Sequence, residues 1–358
     1  MYFPMRTSYR DDLRLFRDRA TLWQYLALFA VLLAMPLVAG DYVLSQATFV
    51  FIYGIVALGM MLLVGYTGQI SLGHAAFFAV GAYVSSVLEV RGVPFLVAFF
   101  AAGAIAGIVG ILIGLPALRV KGVYLAMATL SFAFIVEEVI VRWSSVTRGN
   151  RGMTVPDASI FGVKLGSTTD IYYLSAVTFW LVVLVILNVL RSRTGRALSA
   201  LRDSDVAAES MGINLAQFKT TAFAISATVT GLAGALYAHK LAFISPEQFG
   251  IMVSVEFLMT IIIGGLGSLH GAVFGAMFFI LLPQLIVAVK AYLPTKIAEL
   301  PVLESATFGV LVILFVLFEP RGLNGYWVRI KAYVSLFPFY RQGMFRRSKI
   351  AASDLIKH

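Results

Sequence analysis

The chain has 358 residues, of which 60% are hydrophobic and 13% are charged. Soluble domains carry about 25% charged residues, so the composition excludes a soluble globular protein and indicates an integral membrane protein. The absence of cysteine excludes disulfides, thiolate metal sites and a cysteine nucleophile. The net charge of +10 does not indicate nucleic-acid binding, because the basic residues cluster at the ends of apolar segments.

The chain begins with a basic arm and then alternates between apolar and polar segments. Apolar runs of about 20 residues can cross a bilayer as helices, so we predict an all-α integral membrane fold with about ten transmembrane helices and glycine-broken segments. The predicted spans are Leu22–Ala39, Val43–Val64, Leu72–Val90, Pro94–Leu118, Val123–Trp143, Ile171–Leu190, Phe218–Ala238, Met252–Gly264, His270–Val289 and Leu303–Phe318. A signal peptide cleaved after Ala39 is the alternative for the first span, but its amino-terminal region would be too long and too acidic.

The basic residues predict the orientation of these spans. If the N-terminus is cytoplasmic, 20 of the 28 lysine and arginine residues fall on the cytoplasmic side, as the positive-inside rule requires. Both termini are then cytoplasmic. Three regions are predicted: an arm at 1–21, a transmembrane domain at 22–319 with a polar loop at 191–217, and a basic tail at 320–358 that lies against anionic lipid.

The polar stretch from Arg191 to Lys219 lies in the middle of the chain. Asp203 or Ser204 can cap a short helix, Asp205 suits its first turn, and Gly212 is placed as a left-handed stop. Four apolar residues would leave small patches on this polar element: Leu198, Leu201, Ala208 and Met211. A capped helix between two spans indicates a docking surface for a soluble partner, and an ordinary solvated loop helix is the alternative.

Two glycine-rich segments, residues 65–82 and 264–276, break the helical pattern. The first contains SLGHAAF and the second SLHGAVF, and each opens an apolar span, which indicates a weak internal repeat. Unwound backbone inside a membrane is either buried in protein or lines a wet cavity. Gln69, Ser71 and His74 could therefore face a pathway, although a hydrogen bond between helices is the alternative for His74.

A few ionisable or small residues within the spans allow further predictions. An ionisable side chain at a helix centre costs about 2.5–3.5 kcal/mol. Glu137 and Glu138 lie near Arg142, so we expect interfacial pairing, whereas Glu256 is a candidate for the outer mouth of a pathway. On the fourth span, a small-residue face for close helix packing is predicted from Gly103, Ala104, Ala106, Gly107, Gly110 and Gly114.

Several motifs of enzymes are missing from the sequence. It contains no GxxxxGK[ST] phosphate loop, so ATP hydrolysis within this chain is not expected, and it has neither GxSxG nor HExxH. The four histidines lack metal-ligand spacing. We predict no catalytic residue, no metal site and no cofactor bound by this chain.

Three motifs resemble a known family when they are taken together. They are GYTGQISLGHAAFFAVGAY (65–83), GRALSALRDSDVAAESMGIN (195–214) with ATVTGLAGALYA (227–238), and GGLGSLHGAVFGA (264–276). In this order they resemble the LivM-type permease subunits of bacterial ABC importers for branched-chain amino acids, over roughly Leu22 to Gly325. The resemblance implies an inner-membrane location and four partners: a LivH-type permease subunit, two ABC ATPase subunits that bind ATP, and a periplasmic substrate-binding protein.

The resemblance also implies a coupling helix that docks into a groove of the ATPase. The family pattern is Glu-Ala-Ala, three residues and Gly; here Val206 stands at the glutamate position and Asp205 precedes it. The ATPase-coupling candidates are Arg202, Asp205, Ala207, Ala208, Glu209 and Gly212. The implied mechanism is alternating access, and the candidates for lining the substrate pathway are Gln69, Ser71, His74, Thr129, Ser131, Glu256 and Thr260.

Other functions remain open at this stage. A secondary transporter or channel that works alone would need a functional carboxylate such as Glu256 or Glu137. A membrane-embedded interaction subunit without a conducting path is a third class. Within the family, urea or short amides remain possible cargo, because the motifs report architecture more than cargo.

Overall fold

The computed structural model describes residues 19–117, 120, 122–160, 162–290, 303–318 and 322–336. The helices of its first half are α1 (Arg19–Val38), α2 (Asp41–Met60) with a π-helical continuation (Met61–Gly65), α3 (His74–Val90), α4 (Phe95–Ala117), α5 (Val123–Arg142) and α6 (Ser144–Thr147). Those of the second half are α7 (Thr168–Arg191), α8 (Arg193–Asp203), α9 (Asp205–Ser210), α10 (Leu215–Leu241), α11 (Ile251–Gly264), α12 (Leu269–Lys290), α13 (Leu303–Phe318) and α14 (Gly322–Leu336). The predictions for most of the arm, for the end of the tail and for Arg119 and Lys121 lie outside the described residues.

Each predicted span corresponds to a helix, and no predicted boundary is more than three residues away from the observed one. Seven described helices are long and apolar enough to cross a membrane. Two further apolar segments are shorter than these seven: Leu26–Val38 within α1, and His74–Val90, which is α3. The all-α membrane fold is therefore confirmed, while the count of about ten spans stays a prediction.

Helices α2 and α10 form the centre of the bundle. In the most apolar 18-residue stretch of α2 and its π-helical turn, 78% of the residues are buried. In the corresponding stretch of α10 the buried share is 67%. Helix α10 packs against α4, α3 and α2, while α2 also contacts α7 and α12. Large apolar side chains are exposed on the surrounding helices, as expected for a protein whose outer surface meets lipid; these helices are α1, α4, α5, α7, α11, α12 and α13.

Small residues allow α4 to approach α10 closely. A methyl group added to Gly107 would lie 2.2 Å from Oγ1 of Thr228, and one on Gly110 would lie 2.5 Å from Cβ of Ala227. The predicted glycine face is therefore confirmed. The inclusion of Ala104 in it was wrong, because this residue is exposed; it follows Gly103 directly and so lies about 100° around the helix.

Helix α3 crosses α10 at backbone contact. A methyl group on Gly81 would lie 2.0 Å from the carbonyl oxygen of Gly231, and one on Gly234 would lie 2.0 Å from the carbonyl oxygen of Phe78. Only residues without a side chain permit this separation. The crossing holds the polar amino-terminal end of α3 against the middle of α10.

Two short sheets lie at one end of the bundle. Strand β1 (Met153–Thr154) pairs with β4 (Phe243–Ile244), and β2 (Ala158–Ile160) pairs with β3 (Val163–Leu165), both antiparallel. None of these strands was predicted, because strands of two or three residues are too short to show a period of two. The β1–β4 pair connects the segment after α5 to the end of α10.

Candidate functional site

The polar stretch in the middle of the chain forms two helices at the opposite end of the bundle: the predicted short helix is present as α9, and α8, which precedes it, was not predicted. Helix α7 continues to Arg191, and Ser192 then caps α8 by accepting a hydrogen bond from the amide of Thr194 at 3.1 Å. Ser204 caps α9 in the same way, with the amide of Ala207 at 3.3 Å. The missed helix α8 had one signal in the sequence, which is the spacing of its buried residues Gly195, Leu198 and Leu201.

The apolar side of this two-helix unit faces the protein, which corrects the prediction of exposed patches. Leu198, Leu201 and Ala208 are 0%, 3% and 1% exposed, because α8 and α9 pack against each other and against α10. Met211 is exposed as predicted, and Val206 at the position of the family's glutamate is exposed too, at 80% and 76%. Helix α9 therefore presents two large apolar side chains on a polar surface.

Helix α9 ends where the sequence predicted. Gly212 has a φ of +81°, in the left-handed region that favours glycine. The amide of Ile213 donates to the carbonyl oxygen of Ala208 at 3.0 Å, and that of Gly212 to Glu209 at 2.9 Å. This pattern closes the carboxyl end of the helix and fixes its direction.

An ion pair fastens α9 to α10. Nζ of Lys219 lies 2.8 Å from Oδ2 of Asp205, and the lysine side chain is only 9% exposed. A nearly buried cation left without its partner is costly, so the pair favours one arrangement of the two helices. Asp205 thus contacts the protein itself, whereas Arg202, Ala207, Glu209 and Gly212 are exposed.

A surface depression of about 520 Å³ adjoins α9. It lies between the end of α9 and the start of α10, with lining residues Glu209, Gly212, Ile213, Asn214, Leu215, Ala216 and Lys219. The depression and the exposed residues of α9 together offer a shaped, mixed polar and apolar surface to a partner.

A second cluster surrounds the start of α3, where several pathway candidates meet. His74 is fully buried, and its Nε2 lies 2.8 Å from Oγ of Ser226, which donates to the carbonyl oxygen of Gly59 at 2.8 Å. Nε2 is therefore the protonated nitrogen. Nδ1 then accepts a hydrogen bond from Oγ of Ser71 at 3.2 Å. The network joins α3, α10 and α2.

Thr129 belongs to the same region. Its Oγ1 accepts a hydrogen bond from the amide of Leu72 at 3.0 Å, and Oγ of Ser254 accepts one from the amide of Ala75 at 3.0 Å. Gln69 is also buried, with Oε1 3.3 Å from Oγ1 of Thr67. Irregular backbone between α2 and α3 is thus satisfied by side chains within the protein, as membrane burial requires.

Glu256 and Thr260 form a separate group on α11. The hydroxyl of Tyr53 donates to Oε2 of Glu256 at 3.2 Å, and Thr260 donates to the backbone carbonyl of Glu256 at 2.8 Å. The ring of Tyr53 also contacts that of Phe257, with 5.3 Å between the two centroids. The glutamate is half-buried.

Ser131 belongs to neither group. It is exposed on α5 and donates only to the carbonyl oxygen of Met127, at 3.0 Å. On the same helix Glu138 forms an exposed ion pair with Arg142, which confirms the predicted pairing of these two residues, while its position at the membrane interface stays a prediction. Whether any of these polar residues lines a pathway stays a prediction.

Sequence reasoning missed several polar residues that complete these groups, namely Tyr53, Ser226 and Ser254. It also missed a hydrogen-bond contact at the end of α10, where Nε2 of His239 lies 2.9 Å from Oε2 of Glu89. Within the described ranges, no three histidine, aspartate or glutamate side chains come together as a metal site.

Comparison with known proteins gives consistent matches. Residues 42–317 match the model of a family described as branched-chain amino acid transport system / permease component. The chain is 32% identical to the high-affinity branched-chain amino acid transport system permease protein LivM of Escherichia coli K12, covering 86% of this chain and 76% of that protein. It is 26% identical to the corresponding LivH of Salmonella typhimurium, covering 76% and 91%. No solved structure matches.

Proposed function

Since the chain belongs to the LivM-type permeases of the branched-chain amino acid transport family, we propose that it forms the transmembrane path of an ATP-driven importer for leucine, isoleucine and valine. It is a multi-pass inner-membrane permease subunit, and the proteins of its family are transporter components rather than enzymes.

The observation that carries the proposal is the exposed helix α9 on its rigid support. It is capped at both ends and paired with α10 through Asp205 and Lys219, and it exposes Val206 and Met211 beside a depression. Exposed apolar side chains next to a concave surface are typical of protein interfaces. Two cytoplasmic ABC ATPase subunits would bind ATP, and one of them would receive α9.

The length of α10 supports an alternating-access mechanism. This helix has 27 residues in one element, and α9 is fastened near its start. A displacement of α9 when the ATPases close would therefore be transmitted along α10 to α3 and α4, which pack against it. A LivH-type permease subunit would complete the path, and a periplasmic binding protein would deliver the substrate.

The polar groups on the helices suit an aliphatic zwitterion. Such a substrate needs a few hydrogen-bond partners for its charged ends and smooth apolar walls for its side chain. The proposed lining residues remain those of the sequence analysis: Gln69, Ser71, His74, Thr129, Ser131, Glu256 and Thr260. Urea or short amides are the alternative cargo.

Reconstitution tests the proposed function. Vesicles that contain this chain, the LivH-type subunit and both ATPases should accumulate radiolabelled leucine only with ATP and the binding protein, and excess isoleucine or valine should compete. Vesicles with an inactive ATPase are the control. Uptake by this chain alone, driven by a proton or sodium gradient, would contradict the proposal and favour a secondary transporter that uses Glu256. Competition by urea but not by valine would reassign the cargo.

Single-cysteine labelling tests the orientation. Because the natural chain has no cysteine, Met211→Cys adds the sole thiol, on a side chain that is 80% exposed. A membrane-impermeant maleimide should label it in inverted vesicles and leave it unlabelled in intact spheroplasts. The exposed Ser159 in β2 provides the matched control, since Ser159→Cys should show the opposite pattern. Labelling of Met211→Cys in intact spheroplasts would place α9 on the outer side, where cytoplasmic ATPases could not bind it, and would contradict the proposal.

A further inference from the structure

The two glycine-broken segments meet at the end of the bundle that carries α8 and α9. A methyl group on Gly65 would lie 2.5 Å from the backbone nitrogen of Gly267. Gly65 is the last residue of the π-helical turn after α2, and Gly267 follows the end of α11 with a φ of +75°. The carboxyl ends of two membrane helices are thus in backbone contact.

The guanidinium group of Arg202 lies against this contact. A methyl group on Gly267 would lie 2.7 Å from Nη1 of Arg202 and 3.2 Å from the carbonyl oxygen of Gly65. Arg202 is in the last turn of α8, two residues before the serine that caps α9. The side chain therefore extends from the two-helix unit to the point where α2 and α11 end.

The chemistry of helix ends explains why a cation is placed there. The last carbonyl groups of a helix lack intrahelical partners and carry a partial negative charge. After α2, the amides of Gly68 and Gln69 bond to Val64 and Leu63, at 3.1 and 3.4 Å, rather than to Gly65. A guanidinium group has five N–H donors in a planar arrangement and remains charged. One arginine can therefore donate hydrogen bonds to carbonyl groups at both helix ends.

The geometry points to Arg202 as a positioning residue that couples α8 and α9 to the ends of α2 and α11. We propose that it transmits the displacement of the cytoplasmic unit to the glycine contact, and through the segment after α2 to the polar cluster around His74. Arg202 is an ATPase-coupling candidate by sequence, and the contact with Gly267 assigns it a role within the permease itself. This inference rests on the proposed function.

The test separates coupling from docking. Arg202→Gln removes the charge and the fork, whereas Arg193→Gln on the same helix is a matched control, since Arg193 is also exposed but lies more than two turns away. In the complete importer, we expect Arg202→Gln to keep ATPase association and basal ATP hydrolysis at the level of the control. Uptake should fall about tenfold, within the 5–150-fold range of coupling between sites.

A further variant strengthens the design. Arg202→Lys keeps the charge and should restore part of the uptake. Equal uptake by Arg202→Gln and Arg193→Gln would overturn the inference, as would loss of ATPase association in Arg202→Gln. If the natural protein itself neither bound ATPases nor used ATP, the proposed function would fail, independently of this comparison.

Discussion

Replacement of residues 205–212 by a Gly/Ser linker of equal length should abolish binding of the ATPase subunits and reduce ATP-driven uptake to background. The change removes helix α9 with its exposed Val206 and Met211, and it also removes the carboxylate that pairs with Lys219. Residues at the centre of an interface contribute about 2 kcal/mol or more each. We therefore expect an affinity loss of about 100-fold or more, measured by co-purification and by titration of the detergent-solubilised permease pair with labelled ATPase.

A replacement at the opposite end of the bundle provides the control. The hairpin at residues 158–165 has the same length, and its change to a Gly/Ser linker should leave ATPase binding unaltered. A stable ATPase complex with the 205–212 linker would show that another surface carries the docking. Asp205→Asn alone is a milder variant, which should loosen α9 without removing its apolar side chains.

Substitution of Gly81 by alanine should prevent stable folding. The added methyl group would lie 2.0 Å from the carbonyl oxygen of Gly231, and neither backbone can yield without separating α3 from α10. Overpacking of a core costs about 1–3 kcal/mol when side chains can adjust, and more when they cannot. We expect a fall in Tm by about 5 °C or more, or loss of the monodisperse peak in size-exclusion chromatography.

Gly40→Ala is the matched control for this substitution. Gly40 has a negative φ of −72° and no neighbour within 4 Å of an added methyl group. Its alanine variant should retain the Tm of the natural protein. An unchanged Tm for Gly81→Ala as well would contradict the close crossing of α3 and α10.

The sequence predicts the membrane helices well because their signal is local. A run of apolar residues suffices to locate each span, and the spacing of Gly103, Gly107, Gly110 and Gly114 suffices to locate a packing face. Helix α8 and the strands β1–β4 were missed for the opposite reason. Helix α8 is largely polar and gains its stability from packing against α10, while the strands pair with partners that no local pattern reveals.

The polar clusters could be predicted only in part. Ser71 and His74 are neighbours in the sequence, and their buried, irregular segment was recognisable from its glycines. The contacts of His74 with Ser226, of Ala75 with Ser254 and of Tyr53 with Glu256 each join residues that are more than 150 positions apart. Arg202 illustrates the same limit, since its charge was visible in the sequence but its position against Gly267 depends on the fold.

The connection at the far end of α10 has a consequence for signalling across the membrane. Its 27 residues extend over about 40 Å, and a single left-handed residue, Ala242, leads from it directly into β4, which pairs with β1. In the proposed importer, a binding protein that docks on this small sheet would therefore displace α10, whose other end is paired with α9. Because energetic linkage between two sites is reciprocal, any factor by which docking of the binding protein changes nucleotide affinity in the proposed importer is also the factor by which nucleotide binding changes the affinity for the binding protein.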